Sequence, residues 1–528
     1  MKALDLFPLA QARPTQVQVI EEVEKAYANG YRYVILEAPV GSGKSAIAIT
    51  FARLFGQSHI ITPRKSLQNQ YYSDFSQHVV LMKGRAAYPC TYKFQDATYR
   101  QIIQKINTGS IEAPHKLETN CGNAPCLDDE LVYKDCTSDR ECPYHVAIAT
   151  AEGSDHIIHN LHSFIFQTAF AARFHERPIM IIDEAHEIEG MIRDFISKKV
   201  TLPRVLQADE MPGEFKFINE WCDWLSQEKF TKLFSDVKRG KNEASDREKY
   251  LDRIDTLRSY DETYSNKFVA VKDIDPITRR SKFTFIPESI GTAAHTLLFQ
   301  YGQKMLLMSG TIYNKEVFCK NLNIKPEQAY FIRLDSSFPI SSRPIYLKQD
   351  YMVDTSHAKW QENFPKLVEI IQTVMNKFPE EKGLIHVPSY NAGLQLVHAI
   401  KDPRLVSHDK DNFLTKLEKF FSTKDNKVFI SPVCQQGVDF KDERARFQII
   451  VRIPYPNTND PFIERKVKTD FPWYNYQTLV LFGQQIGRIN RSEQDFGVTI
   501  LIDERFTKFI KRNQKAIPKW VHSAIITG

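Results

Sequence analysis

Glu37-Ala38-Pro39-Val40-Gly41-Ser42-Gly43-Lys44-Ser45 decides how the rest of this chain is read. The run before it, Tyr33-Val34-Ile35-Leu36, is short, apolar and β-branched, and predicts a buried strand. The run after it, Ser45 to Phe55, predicts a helix. Strand, glycine-rich loop and helix start together form a phosphate cradle. Gly41 and Gly43, flanking Ser42, let backbone N–H groups approach phosphate oxygens without a Cβ in the way. The helix start adds partial positive charge. Lys44 is placed for the β- and γ-phosphates, and the Ser45 hydroxyl for Mg²⁺. The ligand expected from this stretch is ATP with Mg²⁺.

Two later stretches complete the chemistry. Ile179-Met180-Ile181-Ile182 predicts a second buried strand, ending in Asp183-Glu184-Ala185-His186. Acids at the C-terminal end of a parallel strand face the ligand crevice. Asp183 is the candidate Mg²⁺ ligand, and Glu184 the group that orients and deprotonates water. His186 is the candidate coupling residue between the nucleotide and the moving half. Near the C-terminus lies Gln484-Gln485-Ile486-Gly487-Arg488-Ile489-Asn490-Arg491. Arg488 and Arg491 are three apart, on one face if helical. Guanidinium groups suit the charge that builds on a transferring phosphoryl group. In this order the three elements predict a nucleic-acid motor driven by ATP.

On these motifs the chain resembles the superfamily 2 helicases, and more narrowly the XPD/DinG-like iron–sulfur DNA helicases. Ala38 stands where the strict phosphate-loop pattern has glycine, a substitution common among helicases. Arg13-Pro14-Thr15-Gln16 resembles the adenine-reading Gln motif, which implicates Arg13 and Gln16. Ile61-Thr62-Pro63-Arg64 through Gln70 resembles motif Ia, and Leu307-Met308-Ser309-Gly310-Thr311-Ile312 motif III. His386-Val387-Pro388-Ser389-Tyr390 resembles motif IV. Gln436-Gly437-Val438-Asp439-Phe440 resembles motif V, which puts Gly437 and Asp439 near the nucleotide. Gln436 departs from the usual Glu there. Ile502-Asp503-Glu504-Arg505-Phe506 resembles the tail after motif VI.

The chain has 8 cysteines, and Cys90, Cys121, Cys126, Cys136 and Cys142 crowd between the phosphate loop and the acidic motif. Four thiolates suit either a [4Fe–4S] cluster or structural Zn²⁺, and local spacing does not decide between them. The resemblance favours the cluster. Lys83 to Cys90, Ala124-Pro125-Cys126 and Cys142-Pro143-Tyr144-His145 resemble the family's cluster domain. It implies Cys90, Cys126, Cys136 and Cys142 as ligands with Cys121 spare, although Cys121 and Cys126 could exchange roles. Cys222, Cys319 and Cys434 are solitary and predict core residues.

The 528 residues carry a net charge of +6, a mild excess that permits a nucleic-acid groove without requiring one. No apolar run is long enough for a membrane span, and the N-terminus lacks a signal-peptide core. No internal repeat stands out. These features predict a cytoplasmic protein. A compact arch and the lack of added domains suit a phage or small prokaryotic source.

The expected fold is α/β, with two RecA-like motor domains. The first occupies 1–87, 146–190 and 286–312, interrupted by a cluster domain at 88–145 and a mainly helical arch at 191–285. The second occupies 313–528. By resemblance, ATP bridges the two halves and drives stepping along single-stranded DNA, 5′ to 3′, with unwinding at duplex junctions. Thr62, Arg64 and Ser389 are the candidate strand-backbone contacts, with Arg85 and Tyr88 near the junction. Competing readings are a DEAH-type RNA helicase and an ATPase that remodels protein–DNA complexes without unwinding.

Overall fold

The computed structural model describes residues 2–89, 121, 142–213, 215–238, 244–264, 267–434, 438, 440–492 and 494–527. Cys90, Cys126, Cys136, Gln436, Gly437 and Asp439 lie outside the described residues.

The β-branched runs read from the sequence become the strands of a parallel sheet. β1 (Tyr33–Glu37), β2 (Ser58–Thr62), β3 (Val80–Met82), β4 (His156–Asn160) and β5 (Arg177–Ile182) enter it in turn. An insert then contributes β6 (Lys198–Thr201), β7 (Phe268–Ile274) and β8 (Ser281–Pro287). The chain returns to the first sheet with β9 (Gly302–Ser309) and β10 (Ala329–Arg333), completing the order β10-β1-β9-β5-β2-β4-β3. Both faces of this sheet are buried, as all-parallel sheets require. Tyr33 and Ile35 pack with Met180, Leu307 and Phe299 on one face. Val34 and Leu36 pack with Ile47, Phe51 and Val19 on the other.

β10 corrects the expected division of the chain. Residues 329–333 pair in register with β1, Ile35 facing Phe331 on one side and Leu307 on the other. The first unit therefore runs past 313 to at least Arg333. The second sheet is built from β11 (Ile345–Leu347), β12 (Gly383–His386), β13 (Leu405–Val406), β14 (Val428–Ser431), β15 (Phe447–Ile450), β16 (Val498–Leu501) and β17 (Ile525–Thr527), in the order β13-β14-β12-β15-β16-β11-β17.

The insert expected to be mainly helical contains an antiparallel sheet, β6-β8-β7, beside its helices. Ser281-Lys282-Phe283-Thr284-Phe285-Ile286-Pro287 alternates buried and half-buried positions, the period-two pattern of a strand with one covered face. Phe283 and Phe285 meet Trp221 at ring-centroid distances of 5.4 and 5.5 Å. Trp221 and Trp224 come from the helix Ile218–Leu225. The insert also reaches the second unit, where Val269 and Ile286 pack on Phe462 and Trp473.

Under the first sheet two histidines are buried as neutral rings. His59 Nε2 donates to the His175 carbonyl at 2.8 Å, which leaves its Nδ1 to accept from His159 Nε2 at 3.3 Å. Burial pushes His59 down to about 3 and His159 well below its ordinary value. Both values fall on folding, so their contribution is complete above about pH 6.5 and is lost as pH drops toward the folded values. Melting temperature should fall between pH 7.5 and 5.5, and fall less in His159→Phe. Equal falls in the two proteins would contradict this origin.

Cys222, Cys319 and Cys434 are buried core residues, as expected. Among the described residues no helix is long and apolar enough to cross a membrane.

Candidate functional site

The glycine loop turns sharply because Gly41 and Gly43 both adopt φ +76°, a region open to glycine at little cost. A Cβ on Gly43 would fall 2.2 Å from Gln16 Nε2, and one on Gly41 2.3 Å from the Phe338 ring. The helix Lys44–Leu54 begins directly after Gly43. The Lys44 ammonium donates to the carbonyls of Ala38 at 3.1 Å and Pro39 at 3.4 Å.

Lys44 lines a cavity of about 260 Å³ together with Glu184, Arg64, Thr311, Gln484, Arg488 and Arg491. The first unit supplies Lys44, Arg64, Glu184 and Thr311, and the second unit the rest. Four cationic side chains face it against one carboxylate, a balance suited to a polyanion such as a triphosphate. The structure thus brings together the three motifs that are far apart in sequence. One expectation fails in detail. The helix Phe471–Ile486 ends before the two arginines, with Gly487 as its cap, so Arg488 and Arg491 do not share a helix face. They converge because the chain turns past the helix end. Arg488 is held by the Val438 carbonyl at 2.6 Å, the Gln484 carbonyl at 2.8 Å and Gln484 Oε1 at 2.7 Å.

Asp183 and Glu184 follow β5. Asp183 is buried; its Oδ2 accepts from the Tyr71 hydroxyl at 2.9 Å and its Oδ1 from the Glu184 N–H at 2.9 Å. Burial, then the Glu184 charge, raise its carboxyl to about 6. Glu184 is held in the left-handed region at φ 50°. Burial works against its charge, but His186, Lys44, Arg64 and Arg488 outweigh it and leave the carboxyl below its usual range. A hydroxyl and a carboxylate beside a phosphate cradle are hard oxygen donors of the kind Mg²⁺ takes, so Ser45 and Asp183 fit the ion in chemistry.

His186 joins the two units. Gln484 Nε2 approaches His186 Nε2 at 3.4 Å, which leaves Nδ1–H to donate to Ser309 Oγ at 2.8 Å. Gln484 Nε2 also donates to Thr311 Oγ1 at 2.9 Å. One side chain of the second unit therefore touches the acidic motif, motif III and Arg488 together. Gln484→Ala should leave ATP binding largely intact but lower turnover about tenfold to a hundredfold, the usual range of a coupling energy. Steady-state hydrolysis set beside nucleotide affinity checks this; unchanged turnover would remove Gln484 from the relay.

Residues read as strand contacts divide. Thr62 is fully buried, and its hydroxyl donates to the Arg64 carbonyl at 3.4 Å, so it faces no strand. Tyr88 is buried too, its hydroxyl accepting from the Lys83 N–H at 3.0 Å. Arg64 is paired with Glu187 and faces the phosphate cavity. Arg85 is half-buried with its guanidinium 5.1 Å from the Tyr144 ring centre. Ser389 is exposed and caps the helix Tyr390–Ile400. Gln16 is buried, with Oε1 accepting from the Arg13 N–H at 2.9 Å and Nε2 lying 3.5 Å from the Gly43 carbonyl. In this arrangement Gln16 braces the phosphate loop, and Arg13 sits beside it.

Several functional neighbours carry no sequence signal. Tyr71 orients Asp183 from a helix that reads only as amphipathic. Glu189 accepts from Arg193 and from Asn321 at 2.9 Å in the first unit, and from Trp473 at 2.6 Å and Gln477 at 3.2 Å in the second. It is a second polar tie between the units.

Of the five clustered cysteines the described residues include Cys121 and Cys142. Their Sγ atoms are 3.9 Å apart, both thiols are buried, and the Cys121 N–H donates to the Tyr88 carbonyl at 2.9 Å. Among the described residues, Cys121, the residue set aside as spare, lies beside Cys142. Among the described residues no group of three or more His, Cys, Asp or Glu converges as a metal site.

Two parallel sheets with a phosphate loop on one and arginines from the other define the class of two-unit nucleotide motors. The helicase C-terminal domain family matches residues 371–524, and the family described as type III restriction enzyme, res subunit matches 9–207. A solved XPD helicase superposes with TM-score 0.60 at 17% identity, covering 98% of this chain and 100% of that one. An XPD-type protein of S. tokodaii gives 0.56 at 14% identity, covering 98% and 100%. The regulator of telomere elongation helicase 1 homolog of Drosophila willistoni is 26% identical over 269 residues, 44% of this chain and 26% of the fly protein. The match thus spans about a quarter of that relative's length. Residues 371–524 thus carry a helicase C-terminal domain, and the chain shares the fold of the solved XPD helicases. Curated relatives from Drosophila willistoni and Drosophila persimilis lend no support to the expected prokaryotic or phage source.

Proposed function

We propose that this chain is an ATP-dependent DNA helicase that moves along single-stranded DNA and separates the duplex ahead of it. The observation that carries the reading is the single cavity lined by Lys44 and Glu184 from one unit and Arg488 and Arg491 from the other. Lys44 and Ser45 would hold the β- and γ-phosphates and their Mg²⁺, with Asp183 as the second protein ligand of the ion. Glu184 would orient and deprotonate the attacking water. Arg488 and Arg491 would stabilise the charge of the transferring group only when both units close on it. Gln484 would carry that closure to His186 and Thr311, so that the units step relative to one another. Movement from 5′ to 3′ rests on the family resemblance. Hydrolysis measured with equal lengths of single-stranded DNA and RNA tests the substrate. Stimulation by DNA is expected; stimulation by RNA alone would turn the reading to the DEAH-type alternative.

We also propose a [4Fe–4S] cluster on the cysteine insert. Two buried thiols side by side are a soft donor pair, which fits the chemistry of such a centre. Cys121 enters the proposed donor set beside Cys90, Cys136 and Cys142, with Cys126 as its competitor for the same role. When bound, the cluster would cross-link the insert through its thiolates. In anaerobically purified protein, Cys142→Ser should lose the iron, about four atoms per chain. Cys121→Ser should lose it too. Full iron in Cys121→Ser with loss in Cys126→Ser would return the role to Cys126, and zinc in the wild type would replace the cluster.

A further inference from the structure

Glu189 lies where both units and the insert after the acidic motif meet. It is carried by the helix Ile188–Ile196, which starts just beyond the acidic motif. The residue is 6% exposed, and each carboxylate oxygen accepts from both units. Oε1 accepts from Arg193 of the first unit and from Trp473 Nε1 of the second at 2.6 Å. Oε2 accepts from Asn321 Nδ2 of the first at 2.9 Å and from Gln477 Nε2 of the second at 3.2 Å. Arg193 adds a contact of its own. Its guanidinium lies 4.7 Å from the Phe462 ring centre and 5.6 Å from that of Trp473, and its Nε donates to the Pro287 carbonyl of the insert at 3.4 Å. Val269 and Ile286 of the insert pack on the same two rings. Tyr476, on the same end of the helix as Trp473, is buried in the core of the first unit. Two partly exposed ion pairs, Lys320 with Asp470 and Arg465 with Glu288, each at 3.1 Å, rim the joint. Pairs of that kind contribute little, so the buried carboxylate is what fixes the joint.

The other end of the helix Phe471–Ile486 is held differently. There Gln484 meets His186 at 3.4 Å and Thr311 at 2.9 Å through side chains that carry no carboxylate. Hydrogen bonds to an ionised group are roughly twice as strong as neutral ones, so the Gln484 end yields first when the units part. At a rise of about 1.5 Å per residue, Gln484 is about 16 Å along the helix from Trp473. A rotation of roughly 10° about the Glu189 end moves Gln484 by roughly 3 Å, enough to break a hydrogen bond.

We propose that Glu189 and Trp473 form the pivot of the motor, a joint that stays closed through the nucleotide cycle while the Gln484 and Arg488 end of the helix swings onto and off the phosphate cavity. Glu189 does not line that cavity. It is a positioning residue, which acts by setting where Arg488 arrives. The pivot rests on the nucleotide-driven motor reading. It also keeps the sheet of the insert seated on the second unit, because Val269 and Ile286 share its rings.

Two measurements on the full chain test it. The first is amide hydrogen exchange with and without a non-hydrolysable ATP analogue. Peptides over 188–196 and 471–478 should exchange equally in both states, while the peptide over 481–491 changes. Faster exchange at 188–196 and 471–478 in either state would make the joint a latch that opens, and would overturn the pivot. The second is ATP turnover in Glu189→Gln, Trp473→Phe and the double variant. Glu189→Gln replaces an acceptor oxygen by a donor, and Trp473→Phe keeps a ring without the N–H. Each should lower kcat about tenfold, the scale of a coupling energy, and leave KM for ATP within about twofold. The double variant should lose no more than the worse single one, as two ends of one contact do. Thermal melting separates these losses from misfolding, and Gln477→Leu, at a half-buried position, is the milder variant where Glu189→Gln does not fold. Wild-type kcat in the folded variants, losses that multiply in the double variant, or a rise in KM that matches the fall in kcat would overturn the pivot. Absence of ATP hydrolysis by the wild type would instead overturn the motor reading on which it rests.

Discussion

Lys44→Ala is expected to reduce ATP turnover by about 10²–10³-fold or more while single-strand binding persists. Among the described residues its ammonium is the one lysine on the phosphate cavity, and Gly41 and Gly43 give the loop around it its sharp turn. Removing the charge takes away stabilisation made where negative charge concentrates, in a pocket partly shielded from water. The loop itself should survive, because the helix behind it is anchored by Ile47, Ile49 and Phe51 in the core. Radiolabelled phosphate release and strand binding measured on one preparation check both halves. Normal hydrolysis would remove the assignment of the site.

The second large effect is expected at Arg488. Arg488→Ala should lower turnover by about 10³–10⁵-fold, the range for loss of an arginine that stabilises phosphoryl transfer. Part of that loss comes from Gln484, whose Oε1 gives up its 2.7 Å partner and whose bonds to Thr311 and His186 then lose their fixed geometry. Arg488→Lys should not restore activity, since one ammonium cannot reproduce contacts made through Nε, Nη1 and Nη2. ATP affinity should change far less than turnover. A variant that loses affinity and turnover in proportion would make Arg488 a binding residue only.

The core of the site was legible because its chemistry is tied to local sequence. A glycine loop between a β-branched run and a helix, and two acids at the end of Ile179–Ile182, each state their context in a few residues. The arginines were legible as residue types, but not their geometry, because Gly487 ends the helix where spacing alone suggested it continues. Thr62 and Tyr88 were misread for a related reason. Motif membership placed them near a strand, while burial against neighbours distant in sequence turned them inward. β10 escaped notice since Ala329-Tyr330-Phe331-Ile332-Arg333 is short, and only pairing with β1 assigns it to the first sheet. Tyr71, Glu189 and Cys121 owe their positions to tertiary contacts and have no pattern of their own.

Strand separation on duplexes with a 5′ or a 3′ single-stranded tail, with ATP and Mg²⁺ and with Lys44→Ala as control, tests the central claim most directly. The account predicts ATP-dependent release of the strand from the 5′-tailed duplex, little from the 3′-tailed one, and none with the variant. Robust DNA-stimulated hydrolysis with no release from either duplex would contradict it and leave a motor that moves on DNA without opening it.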